Sequence, residues 1–195
     1  NKAIVKALCK GLERANLSTS CIQLIEDTSR ERVQELFKMR DYVDVLIPRG
    51  GTALIKNVVE NSQIPVIETG AGNCHIYVDE FADFDMARTI LINAKTSRPS
   101  VCNAAETLLV HEKVASEFLP KALDELKNLG VEIRGCKKTL KIYPDAKLAT
   151  DEDWSTEYLE MIIAVKVVDS IDEAVSHINR FGTSHSEAIV TKDYN

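Results

Sequence analysis

Along the first third of the chain, apolar side chains recur at helical spacing and then give way to short unbroken apolar runs. Ala3, Ile4, Ala7, Leu8, Leu12 and Ala15 repeat every three or four positions, which predicts an amphipathic helix. "CIQLIE" (21–26) predicts a short buried strand, and "SRERVQELFKM" a second helix with Ser29 as its N-cap. The continuous run "VDVLIP" (43–48) has the character of a parallel strand covered on both faces. "RGG" then leads into the helical "TALIKNVVEN" and on to a further strand, "PVIET" (65–69). Strand, helix and strand in that order predict a β-α-β unit of a parallel sheet.

The pattern starts afresh after "GAGN" (70–73). "CHIYVD" (74–79), "ETLLVHE" (106–112), "VEIRG" (131–135), "MIIAVKVVDS" (161–170) and "SEAIVT" (186–191) predict strands, with "TLKIYP" (139–144) as another short one. Between them "DFDMARTILINAK", "VASEFLPKALDELKNLG" and "IDEAVSHINRFG" predict helices. The first opens on Asp83 and Asp85, which suits the helix dipole, and the others end on Gly130 and Gly182. Two α/β units are expected, meeting near residues 70–75.

Composition narrows the class. The 195 residues are 45% hydrophobic and 28% charged, as in an ordinary globular protein able to bury a core. A net charge of −6 leaves no basic footprint for nucleic acid or an anionic membrane. No run of apolar residues is long enough to span a bilayer and no signal-peptide pattern opens the chain, so a cytoplasmic setting is expected. The five cysteines form no CxxC pair and the four histidines no ligand spacing, which argues against a disulfide framework and against any metal site. The chain opens within a helical pattern, lacks an initiator methionine and stops just after "EAIVT". It is expected to be part of a longer polypeptide.

Several segments carry chemistry. "VLIPRGGTALI" sets Gly50, Gly51 and Thr52 between a strand and a helix, where backbone N–H groups can cradle a phosphate, although a plain turn has the same pattern. "TGAGN" (69–73) is a second glycine-rich turn, read as a connector. Cys102 follows Lys95, Arg98 and the break at Pro99, so it is either a small core residue or a thiolate favoured by nearby cations. Cys9, Cys21, Cys74 and Cys136 read as core or inert residues. "GTSHSEAIVT" groups Ser184, His185, Ser186 and Glu187, as a ligand site or a solvated loop, with no GxSxG elbow to suggest a serine nucleophile.

Taken together, "DVLIPRGG", "IPVIETGAGNCHIYVD", "NAKTSRPSVCNAAETLLVH" and "FGTSHSEAIVT" resemble the gamma-glutamyl phosphate reductases, a family of the aldehyde dehydrogenase superfamily. The resemblance runs through essentially the whole chain. It implies an aldehyde-dehydrogenase-like α/β fold in which 1–72 form the C-terminal part of a Rossmann-type nucleotide-binding domain. Residues 73–195 would then form a catalytic domain, incomplete at its C-terminal end. The implied reaction is NADPH-dependent reduction of L-glutamyl 5-phosphate to L-glutamate 5-semialdehyde, with release of phosphate, in proline biosynthesis. Cys102 falls on the family nucleophile, with its own backbone N–H as an oxyanion donor. Gly50, Gly51 and Thr52 match the turn that meets the dinucleotide pyrophosphate, and Glu157 falls near the glutamate that holds the nicotinamide ribose. Lys95, Arg98, His185 and Glu187 are the candidates for holding substrate charges. Thr69, not Glu68, aligns with the general-base glutamate of aldehyde-oxidising relatives, as suits a reaction that needs no activated water. A homo-oligomer is implied, with a glutamate kinase as a partner because some relatives are fused to one. The competing readings are an aldehyde-oxidising dehydrogenase of the same superfamily and a non-catalytic assembly domain partnering the kinase.

Overall fold

The helical spacing at the start of the chain becomes α1 (Lys2–Arg14), followed by α2 (Arg30–Leu36) and α3 (Thr52–Asn61). These belong to a computed structural model that describes residues 1–68 and 70–194. The chain divides into two compact units, Asn1–Thr69 and Gly70–Asn195.

In the first unit the predicted helices form and the predicted strands do not. Residues 21–26 make no ladder; a 3₁₀ turn at Thr19–Cys21, capped by the Ser18 hydroxyl, takes the start of that segment. Segments 43–48 and 65–68 pair through a single parallel bridge, Leu46 with Val66, on either side of α3. Leu46 N–H donates to Pro65 O at 2.9 Å and Ile67 N–H to Leu46 O at 2.8 Å. Pro65 has no N–H with which to extend the ladder. Within this chain Val45, Ile47 and Ile67 stay 40%, 63% and 58% exposed. Ser29 does precede α2, but its hydroxyl makes no cap; its N–H donates instead to Asp27 Oδ1 at 2.9 Å. Thr69 lies outside the described residues.

The second unit is built on β1 (Cys74–Val78), α4 (Phe84–Thr96), β2 (Ala105–His111), α5 (Glu112–Asn128), β3 (Glu132–Gly135), α6 (Lys137–Ile142), β4 (Lys147–Leu148), β5 (Ile162–Val168), α7 (Ile171–Phe181) and β6 (Glu187–Val190). The six strands form one sheet in the order β4-β3-β5-β2-β1-β6, and every pairing is parallel. Leu91, Leu108, Val110, Leu119, Leu123 and Val165 fill the face under α4, α5 and α6. Tyr77, Leu109, Val168 and Ala174 fill the face under α7. Burial on both faces is what the unbroken apolar runs of β2 and β5 require.

One element differs from its predicted type. "TLKIYP" forms most of α6 rather than a strand. Thr139, Leu140 and Tyr143 share a helical face, and the Thr139 hydroxyl donates to Val165 O at 3.0 Å. Cys136 caps the helix, its sulfur accepting the Thr139 N–H at 3.5 Å. In so short a run, Thr139 and Tyr143 fall on one face under either period, so the pattern alone does not choose.

Because all six strands run the same way, the segments that enter them gather along one edge of the sheet. These are 70–73 before β1, 97–104 before β2, 157–161 before β5 and 183–186 before β6.

Candidate active site

Pro99 and the polar residues around it stop α4 at Thr96, and the chain then folds through two tight turns into β2. Val101 N–H donates to Arg98 O at 3.3 Å, and Ala104 N–H to Val101 O at 3.0 Å. Cys102 sits on the second turn with its side chain exposed. Neither its N–H nor its sulfur has a hydrogen-bond partner among the described residues.

The carbonyl of Cys102 is held from two sides. Cys74 Sγ donates to it at 3.3 Å. Gly72 lies so close that a methyl group there would fall inside the carbonyl and 2.9 Å from the Cys102 Cα. Gly72 is fixed in turn by Glu157, whose Oε1 accepts its N–H at 2.7 Å. Asn73, almost fully buried, donates from Nδ2 to Trp154 O at 2.9 Å and to Phe181 O at 2.8 Å, while its N–H donates to Thr183 Oγ1 at 3.1 Å. The four entering segments are therefore tied together by polar contacts to backbone.

The segment before β6 completes the group. Ser186 Oγ lies 3.3 Å from Cys74 Sγ, and His185 Nδ1 lies 3.7 Å from the same sulfur. Glu187 Oε2 accepts the His75 N–H at 2.7 Å and stands 3.1 Å from His75 Nδ1. A pocket of about 120 Å³ opens between Cys74, Asn103, Ala105, Ser186 and Glu187. Burial pushes the Cys74 thiol up, with the Ser186 hydrogen bond opposing it in part, so Cys74 remains a neutral donor to the Cys102 carbonyl. His177 packs edge-on against His75 and Trp154, and burial holds it neutral, with a pKa of about 3.

Lys95 does not fill the role predicted for it. Its ammonium is fully buried and donates to Glu106 Oε2 at 2.7 Å. Burial lowers the lysine pKa and raises that of the glutamate against their mutual attraction. A cation spent in this way offers no free charge to a substrate or to Cys102. Arg98 is exposed and makes no ion pair with any described residue, so it is the free cation of this turn. Gly50, Gly51 and Thr52 belong to the first unit, where Gly51 is the N-cap of α3 and Thr52 its first residue. Gly50 adopts φ 156°, a conformation that favours glycine. No group of three metal-ligating side chains occurs among the described residues.

Residues 2–142 match the profile of the aldehyde dehydrogenase family. The chain belongs to the aldehyde dehydrogenase family. It is 60% identical over 194 residues to a gamma-glutamyl phosphate reductase of Clostridium botulinum (strain Alaska E43 / Type E3), covering 100% of this chain and 47% of that protein. It is also 60% identical to the gamma-glutamyl phosphate reductase of Petrotoga mobilis, over 100% of this chain and 46% of that one. The crystal structure of gamma-glutamyl phosphate reductase from Thermotoga maritima superposes with a TM-score of 0.94 at 53% identity, covering 100% of this chain and 47% of that one. An acetylating aldehyde dehydrogenase from Geobacillus thermoglucosidasius shares the fold, with a TM-score of 0.72 at 22% identity over 97% of this chain and 50% of that one. The chain thus spans about half the length of the curated relatives it matches. Its mixed α/β architecture with a parallel sheet is that of the aldehyde dehydrogenases.

Gly72, Asn73, Cys74 and Glu106 lie around the Cys102 turn or the segments packed on it, and sequence reasoning passed over them. "GAGN" reads as a connector, yet Gly72 backs the Cys102 carbonyl and Asn73 ties its segment to Trp154, Phe181 and Thr183. Cys74 reads as inert, yet its thiol holds the Cys102 carbonyl. Glu106 carries a usable signal, since it is a charged residue at the head of an otherwise apolar strand.

Proposed function

We propose that the protein carrying this chain reduces L-glutamyl 5-phosphate to L-glutamate 5-semialdehyde, releasing phosphate, with NADPH as reductant and Cys102 as nucleophile. The observation that carries this reading is the Cys102 turn itself. Its sulfur is exposed and its N–H unpartnered, while its carbonyl is held by Gly72 and Cys74. A likeness over the whole of this chain, and 47% of the length of reductases of that name, supports the choice of substrate. Residues 1–72 are read as part of the nucleotide-binding domain and residues 73–195 as part of the catalytic domain, close to the division between the compact units at Thr69 and Gly70.

The Cys102 thiolate attacks the acyl carbon, a C–S bond forms, the C–O bond to phosphorus breaks and phosphate leaves. The carbonyl oxygen gathers negative charge in that step, and the free N–H of Cys102 is available to receive it. A thioester remains on the sulfur, and it accepts hydride more readily than a carboxylate. The nicotinamide nucleotide, when bound, supplies that hydride. Loss of the Cys102 thiolate from the reduced carbon then releases the aldehyde.

The residues present fit such a nucleotide. The open N-terminus of α3 carries no acidic residue in its first turn, and Gly51 has clear space where a side chain would stand. Its free N–H groups suit a pyrophosphate. Glu157 spends one carboxylate oxygen on Gly72 and keeps the other for a ribose hydroxyl. Arg98 and His185 are assigned to anionic groups of the substrate and Glu187 to its ammonium. Cytoplasmic location, a homo-oligomer and a glutamate kinase partner belong to the same reading. No helix among the described residues is long and apolar enough to cross a membrane.

The test is turnover of the intact protein. Phosphate release should match NADPH oxidation mole for mole, and Cys102→Ala should abolish both while nucleotide still binds. Aldehyde oxidation that proceeds equally well without phosphate would place the protein with the aldehyde-oxidising branch instead.

A further inference from the structure

A buried ion pair closes the stretch of chain that carries Cys102. Lys95 lies in the last turn of α4 and Glu106 near the start of β2, so the two bracket residues 96–105. Their side chains are 0% and 1% exposed, and Nζ stands 2.7 Å from Oε2. Lysine and glutamate are rarely buried so completely. Such a pair gives little net stability over apolar residues of the same volume, because removing two charges from water offsets their attraction. Stability is therefore a weak reason to keep it.

The geometry around the pair supplies a better one. The second oxygen of Glu106 accepts the N–H of Leu159 at 3.1 Å. Leu159 has φ 55°, a left-handed backbone that a leucine holds only when its surroundings fix it. Two residues earlier in the same loop, Glu157 grips the N–H of Gly72, and Gly72 backs the carbonyl of Cys102. One carboxylate thus reaches the Cys102 turn by two routes. Through Lys95 it ties the two ends of the turn together. Through Leu159, Glu157 and Gly72 it fixes the support behind the carbonyl.

We propose that Lys95 and Glu106 are positioning residues, which hold the Cys102 turn and the Glu157 loop in one fixed register. This rests on the reading of Cys102 as nucleophile. Neither residue touches the reacting atoms. Their effect is to keep the sulfur and the adjacent N–H where attack on the acyl carbon requires them, and a misplacement of about 1 Å costs on the order of a hundredfold in rate.

The decisive variant is Lys95→Met with Glu106→Gln in the intact protein. It removes both buried charges together, keeps the lysine stem volume, and leaves an amide oxygen for the Leu159 N–H. The thermal midpoint should stay close to that of the wild type. Turnover of glutamyl phosphate should fall about tenfold or more in kcat, with KM changed by less than about threefold. Amide hydrogen exchange should quicken at residues 97–104 and 157–160 while β1, β2 and β5 keep their protection. Wild-type kcat with unchanged exchange overturns the proposal. So does faster exchange spread evenly over the sheet, which marks a merely structural pair. If the double variant does not fold, Glu106→Gln alone is read in the same way. Cys102→Ser serves as the separate control and should abolish turnover without changing exchange. If Cys102→Ser stays active, it is the nucleophile assignment that fails, and the exchange result still decides the clamp.

Discussion

Gly72→Ala isolates the packing of the Cys102 turn from every charge near it. The glycine is buried, its φ is not in the left-handed region, and its N–H bond to Glu157 survives the substitution. Only the new methyl matters. It would fall inside the Cys102 carbonyl and 2.9 Å from the Cys102 Cα, against the 3.4 Å at which ordinary van der Waals contact begins. Both neighbours are backbone, so no flexible side chain can swing aside. Either the 70–73 segment or the turn must move, by about 1–2 Å in a close-packed interior. Overpacking of this kind costs roughly 1–3 kcal/mol of stability. An ångström of displacement at a reacting sulfur costs on the order of a hundredfold in rate. Activity should therefore fall much further than stability, with kcat down about a hundredfold and the fold still cooperative in thermal melts. Gly70→Ala is the matched control, since nothing lies within 4 Å of a methyl there. Wild-type kcat in Gly72→Ala, or equal losses in both variants, would refute the argument that this contact fixes the turn.

Iodoacetamide near pH 7 should label exposed Cys102 well before Cys74, whose thiol is buried and pushed up, and peptide mass spectrometry reads the order directly. Equal labelling of the two would contradict the packing of Cys74 against the turn. Arg98→Lys should raise KM for glutamyl phosphate about tenfold, equivalent to roughly 1.4 kcal/mol, if the guanidinium forks onto substrate oxygens; unchanged kcat and KM in Arg98→Ala would make it a solvated side chain. Burial tends to raise the pKa of Asp153, but the Thr150 N–H, Arg134 and the Tyr158 hydroxyl outweigh it and lower the pKa to about 2 from an ordinary 3.8. That stability is present above the unfolded value and is lost as pH falls through about 2. Asp153→Asn should thus cost roughly 2 kcal/mol at pH 7, and the gap between the denaturation curves should close in strong acid.

The second unit was legible because its apolar runs are long enough, and sufficiently separated by turn residues, to specify strands that a parallel ladder then completes. The runs at 43–48 and 65–68 have the same composition, but composition only states that cover is needed. Hydrogen-bond partners decide whether a ladder forms, and here Pro65 and a single bridge allow very little of one. "TLKIYP" was ambiguous for a different reason, since Thr139 and Tyr143, four positions apart, share a face in either a strand or a helix until the Thr139 hydroxyl meets Val165 O. At the site, Cys102 stood out through its motif and the cationic, Pro-broken segment before it. Lys95 was misjudged because a charge in a sequence carries no mark of its partner, and Glu106 lies eleven positions away on another element. The braces behind the Cys102 carbonyl were invisible for the same reason: Gly72 and Glu157 are 85 residues apart in the chain.

Ligands in parallel α/β sheets usually sit beyond the carboxyl ends of the strands, where helices present their N-termini. The Cys102 turn lies at the opposite edge. There α4 and α7 arrive with their C-termini, at Thr96 and Phe181, and a helix C-terminus presents carbonyls and partial negative charge. One of those carbonyls, Phe181 O, is already absorbed by Asn73. Neither α4 nor α7 brings an N-terminus to this edge, so on the proposed reaction the thiolate, the departing phosphate and the developing oxyanion are assigned to groups of the loops. The N–H of Cys102 and the guanidinium of Arg98 are among the donors on the turn that have no partner in the described residues. Lys95 cannot share that work, because its charge is spent inward on Glu106. The first unit has the uncapped N-terminus of α3 behind Gly50 and Gly51. On the proposed reaction, the nucleotide phosphates are thus assigned to a helix dipole, and the acyl phosphate to an arginine and one backbone amide on a turn held rigid by buried charge.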